Sequence, residues 1–396
     1  MRLTDRRIAI AVGAIGALAY VALGIGEPTV YDYYGRLAEA FAHGRWWLTD
    51  DPPWLNELLT CGAGRFCVAY PPVPALMTLP FLPFFGTDLA QSLMSQLAGG
   101  ASAGILYLAL RAVGAPRLVA LTGVVLSAFG TTLLFTSVDG RAWYAAHAVA
   151  MLFTSLALLL AARGGPPLWV GAAIGLAALA RLPVAAVFPA LALLVARRRG
   201  MSYLGALRGV ILGGLPLALV YAAYDVLRWG TPFDAGYARL AEGDFFFNFG
   251  LFSPLYLPRH LYAIFMESPE LVEGTPAFLR FRISGMSLFL TTPAFLWVFG
   301  ALRSVRRDTV VRVLAIAAGL ALLPNVLHGT VGFAQFGYRF SIDAQPFLVA
   351  LAVSGDAYRA GAWRARPSLL FLLAVVVAVA LNVYATIVIV HFGYWD

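Results

Sequence analysis

Long apolar segments follow one another along almost the whole chain, and they constrain its fold more than any other feature. A helix needs about 20 mostly apolar residues to cross a bilayer. Apolar residues make up 61% of the 396 residues and charged residues only 12%, and a soluble fold cannot bury that much apolar surface. The sequence therefore predicts an all-α polytopic membrane protein with about eleven transmembrane helices. The predicted spans are 8–26, 88–110, 117–136, 143–162, 166–181, 183–196, 205–226, 285–302, 311–328, 342–357 and 368–391.

Two features qualify this series of spans. Segments 166–181 and 183–196 are short and meet at Arg181-Leu182-Pro183, so a kinked or re-entrant pair is the alternative interpretation. The first span is followed by no small-residue cleavage site, which indicates a retained helix and not a signal peptide. No soluble domain is visible in the sequence. We expect residues 1–396 to form a single transmembrane domain.

The basic residues, all of them arginine, predict the orientation in the membrane. With eleven spans, one side of the membrane carries 17 arginines and three acidic residues, and the other carries 11 arginines and 17 acidic residues. Cytoplasmic loops carry the excess of basic residues in membrane proteins. We therefore expect a cytoplasmic N-terminus in a bacterial-type cytoplasmic membrane. The overall charge of +8 reflects topology and does not indicate nucleic-acid binding.

Two long loops, 27–87 and 227–284, both fall on the predicted extracytoplasmic side. Loops carry function when a rigid scaffold presents them. Loop 27–87 is the expected active-site loop, and loop 227–284 is the expected substrate-binding loop, each with short amphipathic helices. Aromatic residues near acids in the second loop suit the faces of sugars, although a membrane-interface belt has the same composition.

The chain has two cysteines, Cys61 and Cys67, with five residues between them in the first long loop. The extracytoplasmic side is oxidising, so a structural disulfide is expected. Two unpaired buried thiols are the alternative. A zinc site needs more ligands than this loop offers.

A carboxylate at the membrane surface, Asp32, follows the first span directly. In partly desolvated, aromatic surroundings such a group can accept a proton from a hydroxyl. An N-cap or a solvated loop acid is the alternative. Weaker candidates in the same loop are Glu39, Asp50, Asp51 and Glu57.

Ionisable residues also cluster where the fourth span begins. Asp139 and Arg141 precede it, and His147 lies one turn inside it. Intramembrane ionisable residues indicate function by default. Asp139 could instead be an N-cap and His147 a structural hydrogen-bond donor. No second histidine stands at helical spacing from His147, so no metal site is expected here.

Two arginines, Arg181 and Arg339, interrupt apolar sequence at the predicted outer membrane boundary. An arginine at that depth needs an anion, and its guanidinium can bind two oxygens of a lipid phosphate at once. For Arg339 the alternative is a structural pair with Asp343, four residues later, as on an α-helix.

In chain order, these segments resemble a known family. Asp32 is followed by Tyr70-Pro71-Pro72-Val73-Pro74, by Trp143 and His147, and by Ala180-Arg181-Leu182-Pro183. The segments from Trp229 to Tyr237 and from Gln335 to Phe340 complete the series. Together they resemble integral-membrane glycosyltransferases of the GT-C fold, akin to the protein-mannosyltransferase-like group.

The resemblance implies transfer of a sugar from a polyprenyl-phosphate carrier to a lipid, glycan or protein acceptor at the extracytoplasmic face, with inversion at the anomeric carbon. It also implies that Asp32 is the catalytic base and that Arg181 and Arg339 bind the donor phosphate. Further residues expected to bind substrate are Tyr33, Asp139, Arg141, Trp143, His147, Tyr237 and Tyr338.

The sequence departs from the family pattern at two points. Many relatives have an Asp-Glu pair where this chain has Asp32-Tyr33, so a divalent metal is not favoured. We also expect no C-terminal soluble domain of the kind that some relatives have. The alternatives are another lipid-linked transferase or ligase on the same scaffold, or a transporter or lipid flippase. The inverted repeats typical of transporters are not visible.

Overall fold

The computed structural model describes residues 3–25, 27–271, 279–282, 284–359 and 361–393. Residue 26 of the first predicted span, and residues 272–278 and 283 of the second predicted loop, lie outside these ranges. In chain order the α-helices are α1 (Leu3–Leu23), α2 (Tyr33–Ala42), α3 (Val73–Thr78), α4 (Leu82–Val113), α5 (Arg117–Phe129), α6 (Leu133–Asp139), α7 (Ala142–Ala162), α8 (Pro167–Ala178), α9 (Phe188–Arg199), α10 (Tyr203–Trp229), α11 (Ala235–Ala241), α12 (Leu257–Phe265), α13 (Leu288–Thr291), α14 (Trp297–Leu302), α15 (Thr309–Val326), α16 (Gln345–Ala357) and α17 (Leu369–Phe392).

Short 3₁₀ helices and hairpins connect these elements. The 3₁₀ helices are Leu79–Phe81, Leu182–Val187, Phe245–Phe247, Pro254–Tyr256, Pro293–Leu296 and Arg339–Ala344. The antiparallel hairpins pair β1 (Leu58–Gly62) with β2 (Arg65–Val68), β3 (Glu270–Leu271) with β4 (Leu279–Arg280), and β5 (Tyr358–Arg359) with β6 (Ala362–Trp363). The architecture is therefore all-α apart from small hairpins.

The helices make the chain a multi-pass membrane protein. In the described ranges, six helical segments are long and apolar enough to cross a membrane, and a seventh is α5 with α6, bent by 48°. The six are Leu3–Leu23, Val73–Val113, Ala142–Ala162, Tyr203–Trp229, Thr309–Val326 and Leu369–Phe392. The count of spans that pass by length and composition is thus lower than the predicted eleven.

The difference comes from predicted spans that the structure builds from shorter pieces. Segment 166–181 holds the 12-residue α8, and 183–196 begins with a 3₁₀ helix before α9. Segment 285–302 is divided among α13, a 3₁₀ helix and α14, and 342–357 also begins as a 3₁₀ helix. Proline lies in the first turn of two of these 3₁₀ helices, Leu182–Val187 and Pro293–Leu296, where its missing N–H costs no hydrogen bond.

Small residues let the membrane helices approach one another closely. A Cβ on Gly100 of α4 would lie 2.3 Å from the backbone nitrogen of Ala17 on α1. A Cβ on Gly213 of α10 would lie 1.9 Å from the carbonyl oxygen of Leu168 on α8. Such contacts are typical of helix packing in membranes, where van der Waals packing and not the hydrophobic effect drives the association of helices.

The first long loop folds onto the end of the bundle. Gln91 of α4 is fully buried, and its Oε1 accepts hydrogen bonds from the backbone N–H groups of Tyr34 (2.8 Å) and Gly35 (3.1 Å). Its Nε2 donates to the carbonyl oxygens of Tyr31 (3.0 Å) and Gly140 (2.8 Å). One amide therefore fixes the first turn of α2 against α4 and against the turn before α7.

The hairpin of this loop contains the disulfide. Cys61 on β1 and Cys67 on β2 are bonded, which confirms the predicted disulfide. The side chain of Cys67 is buried, and Leu48 adds a bridge to Phe66 on the outer edge of the hairpin. The disulfide joins the two strands of the hairpin. Glu57 directly precedes β1, and Tyr70 follows shortly after β2.

Candidate functional site

A buried carboxylate, Asp343, organises the centre of the candidate site. Its Oδ2 accepts hydrogen bonds from Arg181 Nη2 and Asn325 Nδ2, both at 2.9 Å. Its Oδ1 accepts from His147 Nδ1 at 3.0 Å and from Arg181 Nε at 3.3 Å. Asp343 and His147 are fully buried, and the Arg181 side chain keeps 14% of its exposure. The arginine fork is thus engaged by a carboxylate and an amide of the protein itself.

Arg339 does not form the predicted alternative pair with Asp343. In an α-helix, positions four apart lie on one face, but residues Arg339–Ala344 form a 3₁₀ helix, in which positions three apart do. The Asp343 carboxylate therefore faces Arg181, from which 162 positions separate it in sequence. Within the described ranges, Arg339 has no ion pair.

Arg339 is buried, with 6% of its surface exposed, and its guanidinium lies among aromatic rings with few polar partners. Its Nη1 donates to the carbonyl oxygen of Phe333 at 2.9 Å. Its Cζ lies 5.3 Å from the ring centroid of Tyr144 and 5.5 Å from that of Phe340. Arg181 contacts the same Phe340 ring at 5.2 Å. Two arginines therefore flank one ring, and only one of them is neutralised by a described carboxylate.

Three buried polar atoms around Arg339 have no hydrogen-bond partner among the described residues. They are Arg339 Nε, Tyr144 Oη and His147 Nε2. Tyr144 and His147 are three residues apart on α7, so they share a face of that helix. Buried polar atoms are nearly always hydrogen-bonded in proteins, and an unsatisfied one calls for an explanation. A bound anionic ligand would accept from Arg339 Nε and from the Tyr144 hydroxyl, whereas His147 Nε2 is an acceptor because the ring donates through Nδ1 to Asp343.

A second carboxylate, Glu57, lies beside this group. The indole N–H of Trp143 donates to Glu57 Oε2 and to Tyr70 Oη, both at 2.6 Å. Burial raises the pKa of Glu57 to about 7, although the Trp143 hydrogen bond and the charge of Arg339 act to lower it. Glu57 has no ion pair in the part of the chain that the structure describes. Its carboxyl group can therefore exchange a proton near neutral pH.

Tyrosine rings surround Glu57 on the side of α2 and α11. The Tyr33 hydroxyl accepts a hydrogen bond from the backbone N–H of Glu57 at 3.0 Å. The ring of Tyr70 lies 5.5 Å from that of Tyr33 and 6.1 Å from that of Tyr237. Burial raises the pKa of Tyr237, while the charges of Arg181 and Arg339 act to lower it. Tyr237 thus stands within reach of both arginine charges and of Glu57.

Asp32 lies apart from these contacts. It occupies the N-cap position of α2, but its side chain makes no capping hydrogen bond, since Gln91 serves the free N–H groups there. Its Oδ1 accepts from Arg36 Nε at 2.8 Å, and its Oδ2 from Thr87 Oγ1 at 2.5 Å. Arg36 also contacts Asp50 at 2.8 Å. Among the described residues, no hydrogen bond or ion pair joins Asp32 to Arg181 or Arg339.

The remaining predicted residues form supporting contacts. Asp139 and Arg141 pair at 3.1 Å, and the Arg141 guanidinium lies 6.0 Å from the Tyr144 ring. The hydroxyl of Tyr338 donates to His260 Nδ1 at 2.8 Å, because His260 Nε2–H is donated to the carbonyl oxygen of His328. Burial lowers the pKa of His260 and favours its neutral form. The second long loop is thereby anchored to the segment that carries Arg339.

The structure therefore brings most of the predicted site residues into one region. Arg181, Arg339 and His147 gather around Phe340 and Asp343, while Trp143, Tyr33 and Tyr237 gather around Glu57. Sequence reasoning gave Tyr70 no role in the site, missed Asn325 and the central place of Asp343, and ranked Glu57 below Asp32. For Glu57 the only signal was its acidic side chain in the first long loop, which five other residues of that loop share. Among the described residues, no three His, Cys, Asp or Glu side chains are placed to hold a metal ion.

Comparisons with known proteins support the fold. No family model matches the chain, and no curated protein matches it by sequence. The crystal structure of ArnT from Cupriavidus metallidurans bound to undecaprenyl phosphate is similar, with a TM-score of 0.54 and 15% identity over 88% of this chain. The present chain covers 59% of that protein. This similarity confirms the predicted GT-C-like fold and, at such low identity, shows the fold alone.

A second solved structure is also similar. It is the oligosaccharyltransferase of Archaeoglobus fulgidus in the apo form, with a TM-score of 0.48 and 18% identity. The match covers 96% of this chain and 55% of that protein. Both known proteins are thus considerably longer than the region that this chain matches.

Proposed function

We propose that the protein is a glycosyltransferase that transfers a sugar from a polyprenyl-phosphate-linked donor to an acceptor at the extracytoplasmic face of a bacterial-type cytoplasmic membrane. The observation that carries this proposal is Arg339, a buried guanidinium without a described carboxylate partner. It lies in a fold similar to that of a protein crystallised with undecaprenyl phosphate. A phosphate monoanion supplies the missing counter-charge.

Arg339 is the proposed primary ligand of the donor phosphate. Arg339 Nε and the Tyr144 hydroxyl lie close enough to act on each other, and they are two adjacent donors that one phosphate can engage together. Arg181 lies across the Phe340 ring from Arg339, and it is proposed to contribute less to phosphate binding than Arg339, because its fork is engaged by Asp343 and Asn325. Fixed positive charge at this place stabilises the phosphate as it leaves, at no cost of reorganisation.

Asp32 is the proposed base, as the family resemblance implies. It takes a proton from the acceptor hydroxyl, whose oxygen attacks the anomeric carbon while the bond to the phosphate oxygen breaks. The phosphate leaves with the electron pair and is held by Arg339. Because attack and departure occur on opposite faces of the sugar, the configuration inverts. Tyr33, which follows Asp32 in α2, links this base to the loop that holds Glu57.

The proposal is tested first by lipid binding. Purified wild-type protein and the Arg339→Ala variant are reconstituted in nanodiscs and titrated with undecaprenyl phosphate. Loss of a charge-assisted hydrogen bond of about 1.5–3 kcal/mol predicts binding weaker by roughly 10- to 100-fold. Arg303→Ala is the matched control, since Arg303 is an exposed arginine distant in sequence from the site. Equal affinity of Arg339→Ala and wild type would refute the phosphate site.

Transfer is tested separately with the Asp32→Asn variant. Glycosylated undecaprenyl phosphates serve as donors, and membrane extracts supply the acceptors. We expect the wild type to transfer sugar and Asp32→Asn to lose turnover while it keeps wild-type affinity for undecaprenyl phosphate. Full turnover by Asp32→Asn would remove the base from this mechanism, and flipping of the carrier without sugar transfer would favour a flippase.

A further inference from the structure

Glu57 is a carboxylate whose surroundings do not explain it. It is partly buried, and its Oε2 accepts one hydrogen bond, from Trp143 Nε1. Its Oε1 accepts none from the described residues, and no described arginine or histidine pairs with it. Placing a carboxylate among aromatic rings without a cation costs free energy. The amide of a glutamine could accept the Trp143 hydrogen bond equally well. A purely structural role therefore does not explain why this residue is acidic.

Three aromatic side chains, Trp143, Tyr70 and Tyr237, lie beside Glu57. Trp143 and Tyr237 are only partly buried, and Tyr70 contacts both. The Tyr70 hydroxyl accepts a hydrogen bond from the Trp143 indole, and the centroids of the Tyr70 and Tyr237 rings are 6.1 Å apart. The C–H faces of a pyranose are apolar and suit aromatic rings, while its hydroxyls are strong donors to a carboxylate. The aromatic rings therefore suit the apolar C–H faces of a sugar, and the Glu57 oxygen that accepts no hydrogen bond suits its hydroxyls.

The positions of Glu57 and Arg339 determine how a sugar linked to a phosphate would be oriented in the site. The charge of Arg339 acts on Glu57 and on Tyr237, so the arginine and the carboxylate share one region of the site. In a polyprenyl-phosphate sugar, the ring is attached directly to the phosphate. With the phosphate at Arg339, the ring extends from that point, and its hydroxyls are the groups available to Glu57.

We propose that Glu57 is the specificity-determining residue of the sugar subsite, where it accepts hydrogen bonds from hydroxyl groups of the donor sugar while Trp143 and Tyr237 contact the ring. This inference rests on the proposed function, because the sugar reaches the subsite only on a phosphate held by Arg339. Glu57 contributes to the recognition of the sugar and not to that of the lipid. The carrier alone makes no use of it.

The test compares loaded and bare carriers in the same reconstituted protein. The probes are undecaprenyl phosphate and undecaprenyl phosphate that carries glucose, galactose, mannose or N-acetylglucosamine. We expect the wild type to bind at least one glycosylated carrier more tightly than the bare one, and Glu57→Gln to lose this advantage by roughly 10- to 100-fold. The glutamine amide oxygen can still accept from Trp143, so the local fold is retained. Affinity for bare undecaprenyl phosphate should not fall, because the bare carrier has no sugar hydroxyl for Glu57 and the loss of a negative charge near Arg339 does not weaken an anion site.

The outcomes separate this inference from the proposed function. Glu39→Gln is the matched control, because Glu39 is an exposed acid of the same loop. An equal advantage of glycosylated carriers in Glu57→Gln and wild type would overturn the assignment of Glu57. So would the absence of any such advantage in the wild type, or an equal loss of affinity for both carriers. Failure of the proposed function appears elsewhere, as unchanged binding of bare undecaprenyl phosphate by Arg339→Ala.

Discussion

Replacing Asp343 by asparagine tests the central contact of the site. The Asp343 carboxylate accepts hydrogen bonds from three side chains: Arg181, His147 and Asn325. Asparagine has the same shape, but it carries no charge, and its NH₂ group would face donors where the carboxylate presents an acceptor. Arg181 would remain buried without its counter-ion. The substitution therefore removes charge from the cluster with almost no change in volume.

The expected loss of stability follows from this geometry. Removing one partner of a buried ion pair costs about 3–5 kcal/mol, because the other charge remains uncompensated. The lower half of this range is expected here, since the Arg181 side chain is 14% exposed and water can reach part of it. The free energy of unfolding is measured in detergent micelles by denaturant titration, followed by circular dichroism. Asp51→Asn, at an exposed loop acid, is the control and should stay within about 0.5 kcal/mol of wild type.

A double variant identifies the cause of the loss. Arg181→Met removes the unpaired charge from Asp343→Asn, so the double variant should regain at least about 1 kcal/mol relative to the sum of the single changes. Strict additivity would show that the two side chains do not interact. An Asp343→Asn variant as stable as wild type would refute the description of Asp343 as the buried counter-ion of Arg181.

Two further predictions concern the first long loop. Gly35→Ala should destabilise the protein by about 1–3 kcal/mol, because the added Cβ would lie 2.0 Å from the carbonyl oxygen of Thr87; Gly319→Ala, where an added Cβ meets nothing within 4 Å, should cost nothing in the same unfolding measurement. Glu57 should titrate near pH 7, protonated below and ionised above, because burial raises its pKa to about 7. The infrared difference spectrum between wild type and Glu57→Gln should show a carboxylic acid band that disappears with that midpoint, and a band already absent at acidic pH would contradict the burial of this group.

The same pKa shift has a defined sign for stability. The pKa of Glu57 is raised from 4.5 in the unfolded chain, so the folded state disfavours the ionised form. Stability is therefore highest while the group is protonated and falls as the pH rises from about 4.5 through about 7. A ligand that donates hydrogen bonds to the carboxylate reverses this loss.

The amino-acid sequence determined the class of protein and much of its framework. Apolar segments of bilayer length have few other stable outcomes, so the multi-pass helical architecture could be read directly. Two cysteines close together in one extracytoplasmic loop similarly predicted a disulfide, and the structure adds that it joins the two strands of a hairpin. The order of weak motifs was sufficient for the GT-C-like fold, because each motif follows a span whose position is set by hydropathy.

The tertiary structure decided which charges meet. Sequence spacing suggested Asp343 as a partner of Arg339, but a 3₁₀ helix turns through 120° per residue and carries the carboxylate toward Arg181. Likewise, 86 positions separate Glu57 from Trp143, and no local pattern marks it among the acids of its loop. Hydropathy is a local property that can be read from each stretch of the sequence by itself. The pairing of buried charges depends on the packing of distant segments, because each ionic contact forms only where the fold excludes water around both groups.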